Sequence, residues 1–245
     1  MRVRAVTIDF WNTLLFDGPP GTDRHRTRRL ADFAAILGEA SLAVVPDALA
    51  RAYDASGAYL EDVWSRHEDV PVEGHVTAIL RVVDPGLPGR VSDRVLGALV
   101  EAYGRPALLA PPRVDEGALP ALRTLCERGY TLAVVSNTMR TPGAILRQLL
   151  ERHGLLACFT HTTFSDEVGV RKPAPEIFAL ALRAVGGEAA TAVHVGDDPV
   201  LDVRGARAAG MRVIQVTSAS RPEPAPDGTI RGLAALPEAL ARLEG

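Results

Sequence analysis

Cysteine and lysine are almost missing from this chain of 245 residues. The two cysteines, Cys126 and Cys158, lie far apart and lack the short spacing of metal-binding pairs. They give no basis for a disulfide framework or a thiolate metal site, and we expect both to be reduced. The only lysine is Lys172, in a chain that otherwise uses arginine. A single retained lysine indicates a position that needs a compact point charge rather than a planar guanidinium.

Long apolar runs are missing too. No uninterrupted hydrophobic stretch reaches the length of a membrane span, and the run from Met1 to Asp9 is too short for a signal-peptide core. The net charge of −3 gives no reason to expect a nucleic-acid partner. These absences predict a cytoplasmic globular protein that binds neither nucleic acid nor membrane. A homodimer is compatible with the sequence, but no feature of the sequence requires one.

Short apolar strands alternate with helical patterns over most of the chain. The expected strands are Val3–Ile8, Thr131–Val135, Phe159–Phe164, Ala192–Val195 and Arg212–Val216. The expected helices are Pro142–His153, Pro175–Val185, Val200–Ala209 and Leu233–Leu243. This alternation predicts an α/β protein in which a parallel sheet is covered by helices on both faces.

The segment from residue 18 to residue 112 breaks this alternation, because it has helical periodicity without strands. Four helices fit its apolar positions, and the breaker-rich runs Gly18–Gly21 and Ala110–Pro112 flank it. We therefore divide the chain into an α/β core, residues 1–17 and 113–245, and an inserted helical domain, residues 18–112. Such paired linkers suit a lid that rocks over the strand ends. A fixed helical domain docked on the core would carry the same marks.

Polar side chains follow the first two of these strands. Asp9 ends the first strand, where open parallel sheets place their ligands, so it is a candidate nucleophile or metal ligand. Ser136 and Asn137 follow the strand Thr131–Val135, where their donors can hold an oxyanion or a phosphoryl oxygen. A simple turn would use the same two residue types. Lys172, just before a predicted helix, can neutralise a bound phosphate or a carboxylate.

Three carboxylates follow the strand Ala192–Val195, namely those of Asp197, Asp198 and Asp202. Hard oxygen ligands clustered in this way suit Mg²⁺, which one or two carboxylates hold while substrate phosphate and water complete the coordination. A helix N-cap explains one of the three but not all of them. We expect His194, inside the strand, to pack in the core rather than bind a metal.

Taken in order, these segments resemble the haloacid dehalogenase-like (HAD) hydrolase superfamily. The resemblance rests on the motif order and on the stretches Asp9–Leu14, Ser136–Thr138, Phe164–Phe178 and Gly196–Asp202. It covers the α/β core, whereas the inserted domain is similar only in position and helical character. The resemblance implies a Rossmann-like catalytic core with a helical cap of the C1 type inserted after the first motif.

The resemblance also implies roles for individual residues. Asp9 would form a covalent aspartyl intermediate, Ser136 would hydrogen-bond the transferring group, and Lys172 would neutralise charge. The implied Mg²⁺ ligands are Asp9, the backbone carbonyl of Trp11, Asp197 and Asp198. The implied substrate contacts come from Trp11, Ser136, Asn137 and Lys172. Asp202 and Thr13 would orient the metal ligands, with Asp202 acting mainly through its contacts to them.

Trp11 departs from the pattern of the phosphatases in this superfamily, which usually carry Asp at that position. That Asp protonates the leaving oxygen and then activates the attacking water, whereas an indole has no titratable proton near neutral pH. The missing acid–base group corresponds to about 10²–10⁴-fold in rate, or roughly 3–5 kcal/mol of barrier. A substrate with a good leaving group, such as an acyl phosphate, tolerates this loss best.

Three functions fit these features. The acidic loop favours a Mg²⁺-dependent phosphatase of a small phosphorylated metabolite. Trp11 suits a 2-haloacid dehalogenase, in which halide leaves without a proton and an aromatic residue often occupies this position; those enzymes need no metal and usually lack the acidic loop. The third function is that of a regulatory homologue that keeps the metal–phosphate pocket with little or no turnover.

Arginines and lysines of the inserted domain bear on the alternatives. A cluster of arginines could clamp halide or carboxylate in a dehalogenase, although a solvated helix face explains it equally well. These arginines are Arg24, Arg26, Arg28, Arg29 and Arg51. The inserted domain has no lysine, which disfavours a phosphonatase that forms a Schiff base there.

Overall fold

A six-stranded parallel sheet forms the centre of the molecule. The structure, a computed structural model, describes residues 3–18, 23–220 and 222–245. Its strands are β1 (Ala5–Ile8), β2 (Leu15–Phe16), β3 (Arg113–Val114), β4 (Thr131–Ser136), β5 (His161–Phe164), β6 (Ala192–Gly196), β7 (Arg212–Val216) and β8 (Gly228–Ile230). The sheet order is β5-β4-β1-β6-β7-β8, and β2 pairs with β3 in a separate antiparallel ribbon. The predicted α/β class is confirmed, while β2, β3 and β8 are strands that sequence analysis does not predict.

Helices cover the sheet and form the insert. Those of the insert are α1 (Arg26–Glu39), α2 (Pro46–Ser65), α3 (Val72–Val83), α4 (Asp93–Gly104) and α5 (Pro106–Leu109). Those of the α/β part are α6 (Ala118–Glu127), α7 (Gly143–Arg152), α8 (Ser165–Val168), α9 (Pro175–Ala184), α10 (Gly205–Ala208) and α11 (Leu236–Glu244). A π-helical segment, Pro199–Arg204, leads into α10, so the helix expected at 200–209 is divided in two. Within the described ranges, no helix is both long and apolar enough to cross a membrane.

The alternation of side chains along β1 separates the two layers of helices. Val6 and Ile8 belong to an apolar cluster with residues of α6, α7 and α11. Ala5 points the other way and packs in a cluster with residues of α9 and α10. Both faces of the sheet are therefore buried, which explains why its central strands read as nearly continuous apolar runs.

The insert has an apolar core of its own. Helices α1 to α4 bury a separate cluster that includes Phe33, Leu37, Ile79 and Leu99. The division into a core and an inserted helical cap stays our proposal, and this separate cluster supports it. Pro19, Pro20 and Gly21 of the first proposed linker lie outside the described residues.

Candidate active site

Asp9 lies where the carboxyl ends of three parallel strands meet. The register places Ile8 of β1 opposite Val134 of β4 on one side and Val195 of β6 on the other. The backbone N–H of Asp9 continues this ladder and donates to the carbonyl oxygen of Val195 at 2.8 Å. The Asp9 side chain is 7% exposed. The central position of β1 in the sheet thus brings Asp9 next to the polar residues that follow β4 and β6.

The ammonium group of Lys172 links two carboxylates. Its Nζ donates to Asp9 Oδ1 at 2.5 Å and to Asp202 Oδ1 at 2.6 Å, and the lysine side chain is 2% exposed. The Asn137 amide holds the lysine backbone in place. Its Nδ2 donates to the carbonyl oxygen of Lys172 at 2.9 Å, and its Oδ1 accepts from the Lys172 N–H at 2.7 Å. Asn137 therefore positions Lys172, while its predicted contact with substrate stays a prediction.

His194 orients Asp202 from inside β6. Its Nε2 lies 2.9 Å from Asp202 Oδ1, and its Nδ1 lies 2.8 Å from the hydroxyl of Thr7. Burial lowers the pKa of His194, so the ring is neutral and donates from Nε2 to the carboxylate. The second oxygen of Asp202 accepts from the N–H of Asp198 at 2.9 Å. The histidine is buried, as expected, but it also fixes Asp202, which packing alone does not predict.

The charges of these groups shift their pKa values in opposite directions. Burial raises the pKa of Asp9 to about 7; Lys172 opposes this rise, whereas the neighbouring carboxylates of Asp202 and Asp197 add to it. Burial and Asp202 raise the pKa of Asp197 to about 6. Burial also disfavours the charged forms of Lys172 and Asp202, but their attraction dominates: the pKa of Lys172 rises and that of Asp202 falls. Asp202 and Lys172 are thus a buried ion pair, beside which Asp9 is held less firmly in its charged form.

Three carboxylates are close enough to hold one cation. One oxygen from each of Asp9, Asp197 and Asp202 lies within 4.8 Å of the others. Asp198 is not part of this group. Its Oδ1 caps the π-helical segment by accepting from the N–H groups of Val200 and Leu201 at 2.7 and 2.8 Å. The N-cap explanation therefore applies to Asp198, and its metal role remains only a prediction.

Gly196 allows Asp202 to approach the end of β6. A Cβ built at Gly196 would lie 2.2 Å from Cγ of Asp202, closer than any real contact. Only glycine leaves room for the carboxylate here. This glycine is needed for close packing, since any side chain would displace the partner of Lys172.

The other predicted residues of the first two motifs occupy different environments. Trp11 is half-buried on the cavity wall, its ring edge-on to Phe10 at 4.9 Å between centroids. Trp11 Nε1 is buried and, within the described part of the chain, has no hydrogen-bond partner. The same holds for the hydroxyl of fully buried Thr13. Ser136 is also fully buried, and its hydroxyl donates to the carbonyl oxygen of Asn137 at 3.3 Å rather than facing the cavity.

A cavity of about 500 Å³ separates these strand ends from the insert. Its lining includes groups from the core motifs and groups that sequence analysis does not single out. The latter are Asp17, Asp23, His25, Gly57, Leu60, Glu61, Trp64, Met139, Arg140, Thr141, Arg171 and Leu201. Both tryptophans of the chain, Trp11 and Trp64, line it.

The arginines of the insert do not form one clamp. Arg24 and Arg29 line the cavity, but each is paired with a carboxylate, Arg24 with that of Asp17 and Arg29 with that of Asp23. The remaining three lie outside the cavity lining. Arg26 and Arg28 pair with Asp54 and Asp32, and Arg51 is exposed. A solvated helix face accounts for these three.

Asp69 links the insert to the core through hydrogen bonds and an ion pair. It lies between α2 and α3, and its buried Oδ2 accepts from Arg171 Nη1 at 3.0 Å and from the hydroxyl of Ser165 at 2.5 Å. Its Oδ1 accepts from Trp64 Nε1 at 3.1 Å. The backbones also pair, since the N–H of Asp69 donates to the carbonyl oxygen of Gly169 at 3.1 Å. Because Arg171 precedes Lys172, the insert contacts the same loop that carries the lysine, which favours fixed docking at this edge.

Comparison with known proteins decides the family. The family model for haloacid dehalogenase-like hydrolases matches residues 3–210. The chain belongs to this hydrolase family. The predicted superfamily and the predicted class of enzyme, a hydrolase, are thereby confirmed.

The relatives of this HAD hydrolase include phosphatases. It is 42% identical to a phosphoserine phosphatase of Thermus thermophilus over 96 residues, which cover 39% of this chain and 37% of the relative. It is 37% identical to a phosphoglycolate phosphatase of Rhodospirillum rubrum over 123 residues, or 50% and 49% of the two chains. The chain thus spans less than half the length of these curated relatives.

A dehalogenase is among the similar solved structures. The 2-haloacid dehalogenase of Pseudomonas syringae pv. tomato DC3000 superposes with a TM-score of 0.69 at 26% identity. The superposition covers 98% of this HAD hydrolase and 99% of the dehalogenase. The comparisons therefore place both phosphatases and a dehalogenase among its relatives.

Proposed function

We propose that this HAD hydrolase is a Mg²⁺-dependent phosphatase that acts on a small phosphorylated metabolite. The observation that supports it best is the group of three carboxylates from Asp9, Asp197 and Asp202, whose oxygens lie within 4.8 Å of one another. Among the residues that the structure describes, Lys172 is the only lysine or arginine hydrogen-bonded to these carboxylates, so the group can carry an excess of negative charge. Hard oxygen ligands with excess negative charge fit Mg²⁺.

The chain's own groups suit attack by Asp9 on phosphorus. Lys172 holds Asp9 Oδ1, which favours the ionised carboxylate and leaves the other oxygen to attack. Asp9 Oδ2 would form the bond to phosphorus as the bond to the leaving oxygen breaks, and water would later cleave the aspartyl phosphate. Held by Asp9 and Asp197, with Asp202 in support, Mg²⁺ would neutralise charge on the phosphoryl oxygens.

Trp11 would restrict the substrates that react well. The indole lies on the cavity wall but can neither protonate a leaving oxygen nor activate water. We therefore propose that substrates with a good leaving group, such as acyl phosphates, react faster than alkyl phosphates. The superposition with the Pseudomonas dehalogenase and the aromatic residue at position 11 favour a second candidate, 2-haloacid dehalogenation, in which carboxylate attacks carbon and halide leaves unprotonated.

The experiment compares acetyl phosphate, p-nitrophenyl phosphate and L-2-chloropropionate with and without Mg²⁺, using the purified protein. We expect phosphate release that needs Mg²⁺ and disappears in Asp9→Asn. As a matched control, Asp62→Asn changes an exposed carboxylate of α2 and should retain the rate. Chloride release without Mg²⁺ would instead establish the dehalogenase. Binding of Mg²⁺ and phosphate with no turnover of any substrate would point to the regulatory homologue.

A further inference from the structure

The cavity contains one cation that no carboxylate binds closely. Four of the five arginine and lysine side chains in its described lining contact a carboxylate within about 3 Å. These pairs are Arg24 with Asp17, Arg29 with Asp23, Arg171 with Asp69, and Lys172 with Asp9 and Asp202. The fifth, Arg140, comes no closer to a carboxylate than 3.8 Å, from its Nε to Asp23 Oδ2.

Neutral groups hold Arg140 in place. Its Nη1 donates to the Tyr103 hydroxyl at 2.7 Å and to the Ser56 hydroxyl at 3.3 Å. The guanidinium carbon lies 4.6 Å from the centroid of the Tyr53 ring. These contacts fix the orientation of the guanidinium group without neutralising it, since arginine stays charged in proteins.

Asp23, the carboxylate near Arg140, already binds other groups. Asp23 accepts from Arg29 Nη1 at 2.8 Å and from the Tyr53 hydroxyl. One carboxylate thus faces two guanidinium groups, and it contacts Arg29 more closely than Arg140. Arg140 is therefore left without a carboxylate at hydrogen-bond distance, and a bound anion would supply one.

One edge of the Arg140 guanidinium makes no hydrogen bond. Its Nε and Nη2 donate to no described residue, since Asp23 Oδ2 stays 3.8 Å from Nε, and the side chain keeps 20% exposure. Two parallel N–H groups on one edge match the two oxygens of a carboxylate or phosphate.

Gly57 keeps this edge uncovered. It lies in the interior of α2 and lines the cavity, and a Cβ built on it would lie 3.7 Å from Arg140 Nη2. That distance is an ordinary contact, so alanine would fit, but a longer side chain would extend over the guanidinium edge. Glycine is unfavourable inside a helix compared with alanine, and here its position leaves the arginine open to the cavity.

We propose that Arg140 binds a second anionic group of the substrate, a carboxylate or a phosphate, in addition to the group that Asp9 attacks. The substrate is then a small phosphate compound that carries a further carboxylate or phosphate. The identity of the reacting group rests on the proposed phosphatase function, whereas the charge of the second group rests on Arg140 and Gly57.

The test uses matched substrates that differ only in charge at one end. Phosphate release is measured, with Mg²⁺ present, for ω-carboxyalkyl phosphates of two to five carbons, their primary amides, and the bisphosphates of equal length. At the best length, kcat/KM of the acid or the bisphosphate should exceed that of the neutral amide by about 10- to 100-fold. The better of the two anions identifies the natural second group. Equal kcat/KM for all three types at every length overturns the proposal.

Variants assign the preference to Arg140. Arg140→Gln should bring the ratio of acid or bisphosphate to amide down to about 1, whatever it does to the absolute rate. Arg26→Gln is the control, because Arg26 pairs with Asp54 at the surface outside the cavity lining. Gly57→Leu should lower the ratio and Gly57→Ala should preserve it. A wild-type ratio that survives Arg140→Gln also overturns the proposal.

The two proposals fail in different ways. If neither these alkyl phosphates nor acetyl phosphate releases phosphate, the phosphatase function fails. Titration calorimetry with the same acid, bisphosphate and amide then decides the subsite by itself. Tighter binding of either anion that is lost in Arg140→Gln supports the subsite, and equal binding of all three rejects it.

Discussion

Removing the Asp69 carboxylate should destabilise the protein far more than removing a surface carboxylate with a shorter ion pair. Asp69 lies 3.0 Å from Arg171, and these side chains are 0% and 6% exposed. Asp62 lies 2.6 Å from Arg66, one turn apart on α2, and these side chains are 70% and 48% exposed. By distance alone, the surface pair would be the stronger of the two.

Burial reverses that order. Asp69→Ala leaves the Arg171 guanidinium buried without its counter-ion and removes the acceptor of Ser165 and of the Trp64 indole. Breaking a buried pair in this way costs about 3–5 kcal/mol, against a total stability of about 5–15 kcal/mol. Asp62→Ala breaks an exposed pair that water and salt already screen, so its cost is about 0–1 kcal/mol. The expected difference between the two variants is thus about 2–5 kcal/mol.

Urea unfolding followed by circular dichroism and by tryptophan fluorescence measures both costs. Fluorescence is informative because Trp64 packs against Arg171, 4.2 Å from the ring centroid. Asp69→Ala combined with Arg171→Met removes both charges, so it should cost about 0.5–3 kcal/mol less than the sum of the single changes, as expected for a coupled pair. If Asp69→Ala lowers the free energy of unfolding no more than Asp62→Ala does, water reaches Arg171, and the Asp69–Arg171 ion pair between insert and core is not buried.

Three further predictions concern single side chains. Burial lowers the pKa of His75 to about 3, so the unfolded chain, with a pKa of about 6.5, binds the proton first. The contribution of neutral His75 to the free energy of unfolding is complete above pH 6.5 and falls by about 2 kcal/mol between pH 7.5 and 5. Urea unfolding midpoints measured over this pH range should show that loss in the wild type. The loss should be absent in His75→Phe. Gly196→Ala forces a Cβ against Asp202, so it should lower the free energy of unfolding by about 1–3 kcal/mol and remove most of the activity. Gly38→Ala has open space around it and should be neutral or stabilising. Equal melting temperatures of the two variants would contradict this. Asp198→Ala should cost about 1 kcal/mol through loss of the N-cap, and Asp198→Asn should regain it; a cost shared by both variants would argue against capping.

The strand ends could be located from the sequence because a polar residue directly after an apolar run marks each of them. Asp9, Asn137 and Asp197 each follow an apolar run, and parallel strands share one carboxyl edge, so these residues had to come together. The different role of each of these residues could not be predicted from the sequence. Asp197 and Asp198 are neighbours after one strand, and only the backbone path shows that Asp198 turns back to cap a helix while Asp197 stays beside Asp9.

The parts that sequence analysis missed depend on contacts between distant segments. Asp69 and Arg171 are 102 positions apart, and a helical periodicity says nothing about which loop of the insert reaches the core. Arg140 is likewise defined by tyrosines from two helices of the insert. Sequence analysis does not predict helix α6. Pro120 lies in its first turn, where a missing N–H costs nothing, so proline does not break the helix there.

Trp11 and the carboxylate group carry separate information about the reaction. Asp9, Asp197 and Asp202 can contribute three negative charges against the single positive charge of Lys172. Burial raises the pKa of Asp9 to about 7; Lys172 opposes this rise, and Asp202 and Asp197 add to it. In the proposed phosphatase reaction, a further cation held by these carboxylates would favour the ionised nucleophile, as it would in either reaction. It would also offset the charge of the phosphoryl group, a charge that the carbon–halogen bond of a haloacid does not carry. Trp11 does not alter that charge balance. In the proposed reaction its effect would fall on the leaving group, so the carboxylates bear on the proposed class of reaction and the indole on which substrates of that class would react quickly.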